Sequence, residues 1–284
     1  MKPLYIGLIY LVAAPFLGGL LAGFDRIVTA RMQRRVGPPL FQPFFDVLKL
    51  FQKRTVIVNR LQNPSIFCHL VFMMATGFLF FEGGDILLII FVLTLSAVFF
   101  IIAAYASSSP YSYLGAEREL LLIMAYEPMV LLALVGIYMV SGSFNIYEIM
   151  GSEKMLIQYL PGVFAGFVYI LTMKLRKSPF DISYSHHAHQ ELVKGITSDF
   201  SGRTLGMIEL AHWYENIFLL GFIYLFVSFN PYIGAAIVAG VYLFEILIDN
   251  VFARMKWEFA LRAGWIVAFL LGFGNILVLY IMSR

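Results

Sequence analysis

The chain has 284 residues, 61% of them hydrophobic and only 13% charged, with a formal net charge of +3. An average soluble domain carries about 25% charged residues, so this composition excludes an ordinary soluble globular fold. The lone cysteine, Cys68, excludes an intrachain disulfide and a multi-cysteine metal cluster, and it reads as a small apolar core residue.

The apolar residues come in long uncharged runs: Pro3 to Phe24, Ile86 to Ala116, Pro128 to Tyr147, Met155 to Met173, Asn216 to Phe244 and Ala263 to Ser283. About 20 such residues cross a hydrocarbon core roughly 30 Å thick. The expected architecture is an all-α polytopic membrane protein, one membrane domain over residues 1–284, with about eight spans and one interfacial helix. The spans fall at 4–24, 64–81, 86–106, 117–140, 156–174, 204–228, 232–250 and 262–282. The first run has no small-residue cleavage signature before a soluble domain, so it reads as a span and not as a signal peptide. Asn230-Pro231 divides the long run 216–244 into two spans, because proline disfavours helix in the residue before it.

Between the first two spans, Pro43 to Lys53 reads PFFDVLKLFQK. Asp46, Lys49 and Lys53 form one polar stripe, with Phe44, Leu48 and Phe51 on the other side and Phe45 and Leu50 toward its edges. This is a helix for the interface plane or for docking a partner subunit.

With alternating orientation, loops 25–62, 107–116, 175–203 and 251–261, with their flanks, hold 17 of the 20 Lys and Arg residues. The positive-inside rule makes these loops cytoplasmic, with both termini outside the cell membrane. The basic residues therefore sit in loops for a topological reason, and no nucleic-acid partner follows from the charge.

Lys174 to Arg203, KLRKSPFDISYSHHAHQELVKGITSDFSGR, is a polar island with apolar sequence on both sides. His186, His187 and His189 in it, as HHxH, are a weak metal signal; a hydrogen-bonded cluster at a subunit interface fits better, and with Asp181 and Glu191 they could also take up protons. Seven carboxylates fall in or beside the spans: Glu117, Glu119, Glu127, Glu209, Glu215, Glu245 and Asp249. A charge at the bilayer centre costs at least about 2.5–3.5 kcal/mol, so such acids face a hydrated interior, pair with cations or carry protons. Glu117 and Glu119 flank Arg118, where interfacial ion pairing is the alternative. Glu245 and Asp249 lie one turn apart, and His212, three residues after Glu209, could complete a relay. No phosphate loop, nucleophile elbow or paired-cysteine metal motif is present.

Four blocks then carry a resemblance over essentially the whole chain: RMQRRVGPPLFQPFFDVLKLFQK at 31–53, GAERELLLIMAYEP at 115–128, SPFDISYSHHAHQELVKGITSDFSG at 178–202 and MIELAHWYENI at 207–217. Together they resemble the membrane subunit that joins the two arms of respiratory complex I, and its homologues in membrane-bound energy-converting [NiFe] hydrogenases. In complex I the stretch after Pro-Phe-Asp is typically acidic, of the form Glu-Ala-Glu-Ser-Glu-Leu-Val. Here Pro179, Phe180 and Asp181 match, as do Glu191, Leu192 and Val193. Ser183, Ser185, His186, His187, His189 and Gln190 replace the acids between, and Pro39 stands where complex I has Asn. This form is similar to the ferredoxin-linked and carbon-monoxide-linked hydrogenases.

The resemblance implies a non-catalytic coupling subunit of an oxidoreductase complex. It implies a proton or ion path through Glu127, Glu191, Asp181, Glu209 and Glu215, joined by the intramembrane Glu245, Asp249, Glu119, Glu117 and His212. The docking surface would include Arg34, Arg35, Pro179, Phe180 and the three histidines. It implies no metal or cofactor in this chain, and a [NiFe] centre and iron–sulfur clusters in partner chains. Those partners are the hydrogenase large and small subunits, a ferredoxin-like iron–sulfur subunit and an antiporter-like membrane subunit. A quinone-binding subunit of complex I and a stand-alone ion transporter are the alternatives; no internal repeat of the kind common in transporters is visible.

Overall fold

A computed structural model describes residues 4–56, 58–152, 155–185 and 192–282. The protein is 77% helical, and among the described residues there is no strand, only one isolated bridge between Asp85 and Asn145. Backbone polar groups have no water to bind in hydrocarbon, so apolar segments satisfy them internally as helices.

The helices are α1 (Leu4–Met32), α2 (Gln42–Gln52), α3 (Gln62–Phe81), α4 (Ile86–Tyr105), α5 (Pro110–Ser141), the short α6 (Ile146–Gly151) and α7 (Leu156–Tyr159), α8 (Pro161–Lys174), α9 (Arg203–Leu225), α10 (Pro231–Val251) and α11 (Trp257–Met282). Six of them, α1, α3, α4, α5, α10 and α11, are long and apolar enough to cross a membrane. At the other two expected span positions stand α8, with 14 residues, and α9, with 23 residues that include Glu209 and Glu215. The stretch expected as one helix at 156–174 is broken at Leu160, where Pro161 opens α8. Asn230 ends the α9 segment and caps α10, its side-chain oxygen accepting from the Tyr232 and Ile233 N–H groups at 3.0 and 3.4 Å.

The chain forms two compact units. The first comprises Met1–Glu82, Leu88–Glu119 and Ser183–Phe218. In it α1 and α9 are stapled by a reciprocal pair: the Tyr10 hydroxyl donates to the Tyr214 carbonyl at 3.0 Å, and the Tyr214 hydroxyl donates to the Leu11 carbonyl at 2.7 Å. Gly18 allows the closest approach, since a Cβ there would lie 2.6 Å from the Trp213 Cβ. His69, buried on α3, places Nδ1 2.9 Å from the Ser96 carbonyl oxygen. The Ser96 hydroxyl lies at the same 2.9 Å from Nδ1 and donates to the His69 carbonyl at 2.8 Å, so the two residues are doubly tied.

α2 lies against α1 through Pro43 and Val47, which are buried, and Phe44 packs edge-on to Trp213 with centroids 5.3 Å apart. Asp46 accepts from Arg26 Nη1 at 2.7 Å and from Gln42 Nε2 at 2.9 Å. Burial alone raises the Asp46 carboxyl, but the hydrogen bonds from Arg26 and Gln42 and the charges of Arg26 and Lys49 outweigh it. The net result is a pKa below the ordinary carboxylate range.

The second unit comprises Gly83–Leu87, Leu120–Ile182 and Leu219–Arg284. α11 contains a π-helical stretch, Ala268–Phe273, and just beyond it Asn275 reaches the start of α8. Its Oδ1 accepts from the Gly162 and Val163 N–H groups at 2.8 and 3.1 Å, and its Nδ2 donates to the Tyr159 carbonyl at 3.1 Å. A residue of one helix thus caps another whose own cap position, Leu160, has no side chain to offer. Gly264 packs on the backbone of Ala125, where a Cβ would come 2.5 Å from the carbonyl oxygen.

Asn275→Ala strands two helix N-terminal donors and should cost about 2–4 kcal/mol; a thermal melt equal to wild type would refute the cap. The Asp46 contribution is present above the unfolded carboxylate pKa and is lost as pH falls through the depressed folded value. Amide exchange across Gln42–Gln52, corrected for intrinsic rates, should therefore quicken in that acid window. Asp46→Asn should remove the pH dependence, with a modest effect at neutral pH because the pair is partly exposed.

Candidate functional site

In the first unit the site is built where α5 begins. Glu119 is 3% exposed and accepts a 2.5 Å hydrogen bond from the Ser183 hydroxyl, itself fully buried. Ser183 belongs to the polar island, so an acid on a membrane helix is bonded directly to that loop. Two backbone bonds close the loop's base: Ile196 N–H to the Ser183 carbonyl at 3.0 Å, and Lys194 N–H to the Ser185 carbonyl at 2.8 Å. Gly195 sits between them at φ +39°, and a Cβ there would collide with the Ser183 carbonyl. The Ser112 hydroxyl, on α5, donates to the Ala104 carbonyl at 3.2 Å and reaches the Ile196 carbonyl at 3.4 Å. His186, His187, His189 and Glu191 lie outside the described residues.

Glu117, in the early turns of α5, accepts from the Tyr105 hydroxyl at 3.1 Å. On α9, Glu209 is half-buried within reach of the charges of Arg26, Asp46 and Lys194. His212 stands edge-on to Phe100 and tilted to Tyr184, each with centroids 6.4 Å away. Glu215, on the same helix, is 4% exposed. The basic pair Arg34 and Arg35 is exposed just after α1, with Arg34 in the left-handed region at φ 56°.

In the second unit a different set meets. Asp181 is buried and faces Arg254, whose Nε lies 3.7 Å from its Oδ1 and whose Nη2 donates to the Ile182 carbonyl at 3.0 Å. The same stretch is strapped down twice more: Ser178 N–H donates to Asp249 Oδ1 at 2.8 Å, and Met255 N–H donates to the Pro179 carbonyl at 3.0 Å. Asp249 is thereby engaged, while Glu245, one turn away, is fully buried with neither carboxylate oxygen hydrogen-bonded in the structure. Lys177 Nζ lies 5.3 Å from the Tyr242 ring on that helix. Lys174 is buried with its Nζ 4.2 Å from the Tyr126 ring, next to half-buried Glu127.

Pro179 and Phe180, expected at the docking surface, are both buried within the chain, and Phe180 packs edge-on to Tyr169 with centroids 5.5 Å apart. Pro-Phe here fills the chain's own core. Conversely, no sequence pattern marks Arg254, His69 or Asn275 as a site residue, and Ser183 stands out in the sequence only as a replacement for an acid, not as the partner of Glu119. Arg254 is detectable as a cation beside a span end, and Asn275 as the one amide inside the run 263–283.

Among the described residues no group of three or more His, Cys, Asp or Glu side chains could hold a metal ion. The arrangement suits hydrogen-bond and charge exchange between loop and helix. Arg254→Met would leave Asp181 buried without its cation and should cost about 3–5 kcal/mol, less when combined with Asp181→Asn. Equal melting of the single and double variants would show that the pair does not hold the loop.

Comparison with known proteins matches residues 5–280 to the family described as NADH dehydrogenase. Hydrogenase-4 component C of Escherichia coli is 30% identical over 74% of this chain and 71% of its own length. An NADH-quinone oxidoreductase subunit of Methylococcus capsulatus is 31% identical over 86% of this chain and 84% of its own length. Among solved structures, a chain of the membrane-bound sulfane sulfur reductase, an archaeal respiratory membrane complex, superposes with a TM-score of 0.82 at 25% identity, covering 95% of this chain and 98% of that one. The chain belongs to the NADH dehydrogenase family, as a membrane subunit of the complex I and hydrogenase type.

Proposed function

We propose that this chain is the membrane anchor and coupling subunit of an energy-converting [NiFe] hydrogenase. Redox chemistry between ferredoxin and hydrogen would take place in soluble partner chains that carry the iron–sulfur clusters and the nickel–iron centre. This chain would hold no cofactor. It would sit in the cytoplasmic membrane with both termini outside, its loops 25–62 and 175–203 meeting the soluble arm, and an antiporter-like subunit would continue the ion path.

The observation that carries this reading is the Ser183–Glu119 hydrogen bond. A charge change in a docked redox partner that moves the polar island also moves the group that bonds an acid on a membrane helix. In a medium of low dielectric such a change alters how readily the carboxyl keeps its proton. In the second unit Ser178, bonded to Asp249, ties the other end of the same loop to α10, and Asp181 faces Arg254 just beyond that helix. Glu127, Glu191, Glu209, Glu215 and Glu245 would then carry the ion onward. The branch assignment rests on the histidines and serines where complex I carries acids, and on a named relative that is a hydrogenase component.

A second reading is a quinone-binding subunit of complex I, favoured by relatives named as NADH-quinone oxidoreductase subunits at similar identity. Purification in mild detergent separates the two. Nickel and hydrogenase chains in the complex support the hydrogenase reading; quinone-dependent activity without nickel supports the other. Ion transport by the chain alone in liposomes would replace both.

In the intact complex, Glu127→Gln and Glu191→Gln should retain hydrogen turnover and lower the linked ion gradient by at least about tenfold. Ser183→Ala should lower coupling less, since water can replace a hydroxyl. Full coupling in both Glu variants would dismiss the path.

A further inference from the structure

The apolar arc of α2 is wider than the protein covers. Pro43 and Val47 are buried against the rest of the first unit, with Phe44 and Phe51 half-buried beside them. A second row, Phe41, Phe45 and Leu48, is left 58%, 54% and 57% exposed. With about 100° of rotation per residue these three fall within roughly 60° of one another, and Lys49 and Lys53 border them on the polar side. Lys49, Lys53 and Arg54 are exposed, and none forms an ion pair among the described residues. The one carboxylate of the helix, Asp46, is already bonded to Arg26 and Gln42.

The depth of α2 decides what covers this row. Phe44 lies against Gly19, where a Cβ would come 2.5 Å from its ring, and 6.4 Å from the Phe16 ring. Gly23 abuts the Leu40 carbonyl. Phe16, Gly19 and Gly23 all belong to the uncharged run of α1, which ends before Asp25. The linker therefore folds back along α1 and sets the start of α2 beside apolar membrane-spanning sequence, not beyond it. Side chains at that level meet acyl chains, and cations a turn further on meet headgroups.

We propose that α2 is a docking site for an anionic phospholipid, its acyl chains on Phe41, Phe45 and Leu48 and its phosphate held by Lys49, Lys53 and Arg54. The cations supply the preference for negative charge, and the aromatic row supplies affinity that does not depend on headgroup. The site is independent of the redox partner the subunit serves.

The test compares the purified complex in nanodiscs of phosphatidylcholine alone with nanodiscs containing phosphatidylglycerol, and counts lipid retained after delipidation by native mass spectrometry. For wild type, phosphatidylglycerol should raise the melting temperature by about 3–5 °C and remain bound at about one molecule per chain. Lys49→Gln/Lys53→Gln should lose both the rise and the retained lipid. Phe45→Ser should weaken retention of both lipids. Inorganic phosphate should have no effect. Circular dichroism and an unchanged melting temperature in phosphatidylcholine show that the lysine variant is folded; if it is not, Lys53→Gln alone should still halve the retained lipid. Equal melting of wild type in the two lipids, or full retention in the lysine variants, overturns the proposal. So does loss of a partner chain from the complex with lipid retention unchanged, which would make α2 a protein interface.

Discussion

Hydrocarbon offers no hydrogen-bond partners, and that constraint governs the arrangement of polar groups throughout this chain. Each helix satisfies its own ladder, but helix ends and irregular joints cannot. They are met by side chains brought from elsewhere in the same unit: Asn275 for the start of α8, Tyr10 and Tyr214 for carbonyls between α1 and α9, Ser112 for the Ala104 carbonyl. Glycines at Gly18 and Gly264 let backbones come close enough for such reaches. In hydrocarbon, where burial of apolar surface adds little between helices, this combination of close packing and polar ties is what fixes one arrangement.

The acids obey the same constraint, and they divide by how it is met. Glu117 and Glu119 have hydroxyl donors, Asp249 has a backbone donor, and Asp181 has a guanidinium. Glu245 has no hydrogen bond on either oxygen although it is fully buried.

Membrane class, the amphipathic nature of α2 and the division at Asn230 are legible in the sequence because they depend on hydropathy, periodicity and proline geometry, which are local. The polar island is legible as specific, since its composition departs abruptly from its flanks. The break at Leu160 carries the same proline signal, at Pro161, but hydropathy passes over it because the run 155–173 stays uncharged on both sides of that step. The burial of Phe180 is not legible either, because a motif states which residue types stand together, not which way they face. Ser183 and Arg254 stay hidden for the opposite reason: each acts through a contact distant in sequence, with Glu119 and Asp181, which no local pattern encodes.

The base of the polar island is closed by main-chain bonds from Ile196 to Ser183 and from Lys194 to Ser185. Main-chain bonds are indifferent to side chains, apart from the glycine at position 195 that makes room for them. A substitution of Ser183 or Ser185 that keeps the backbone path would therefore leave the clasp closed and change only the side chain offered to the helix beside it, the hydroxyl on Glu119 in the case of Ser183.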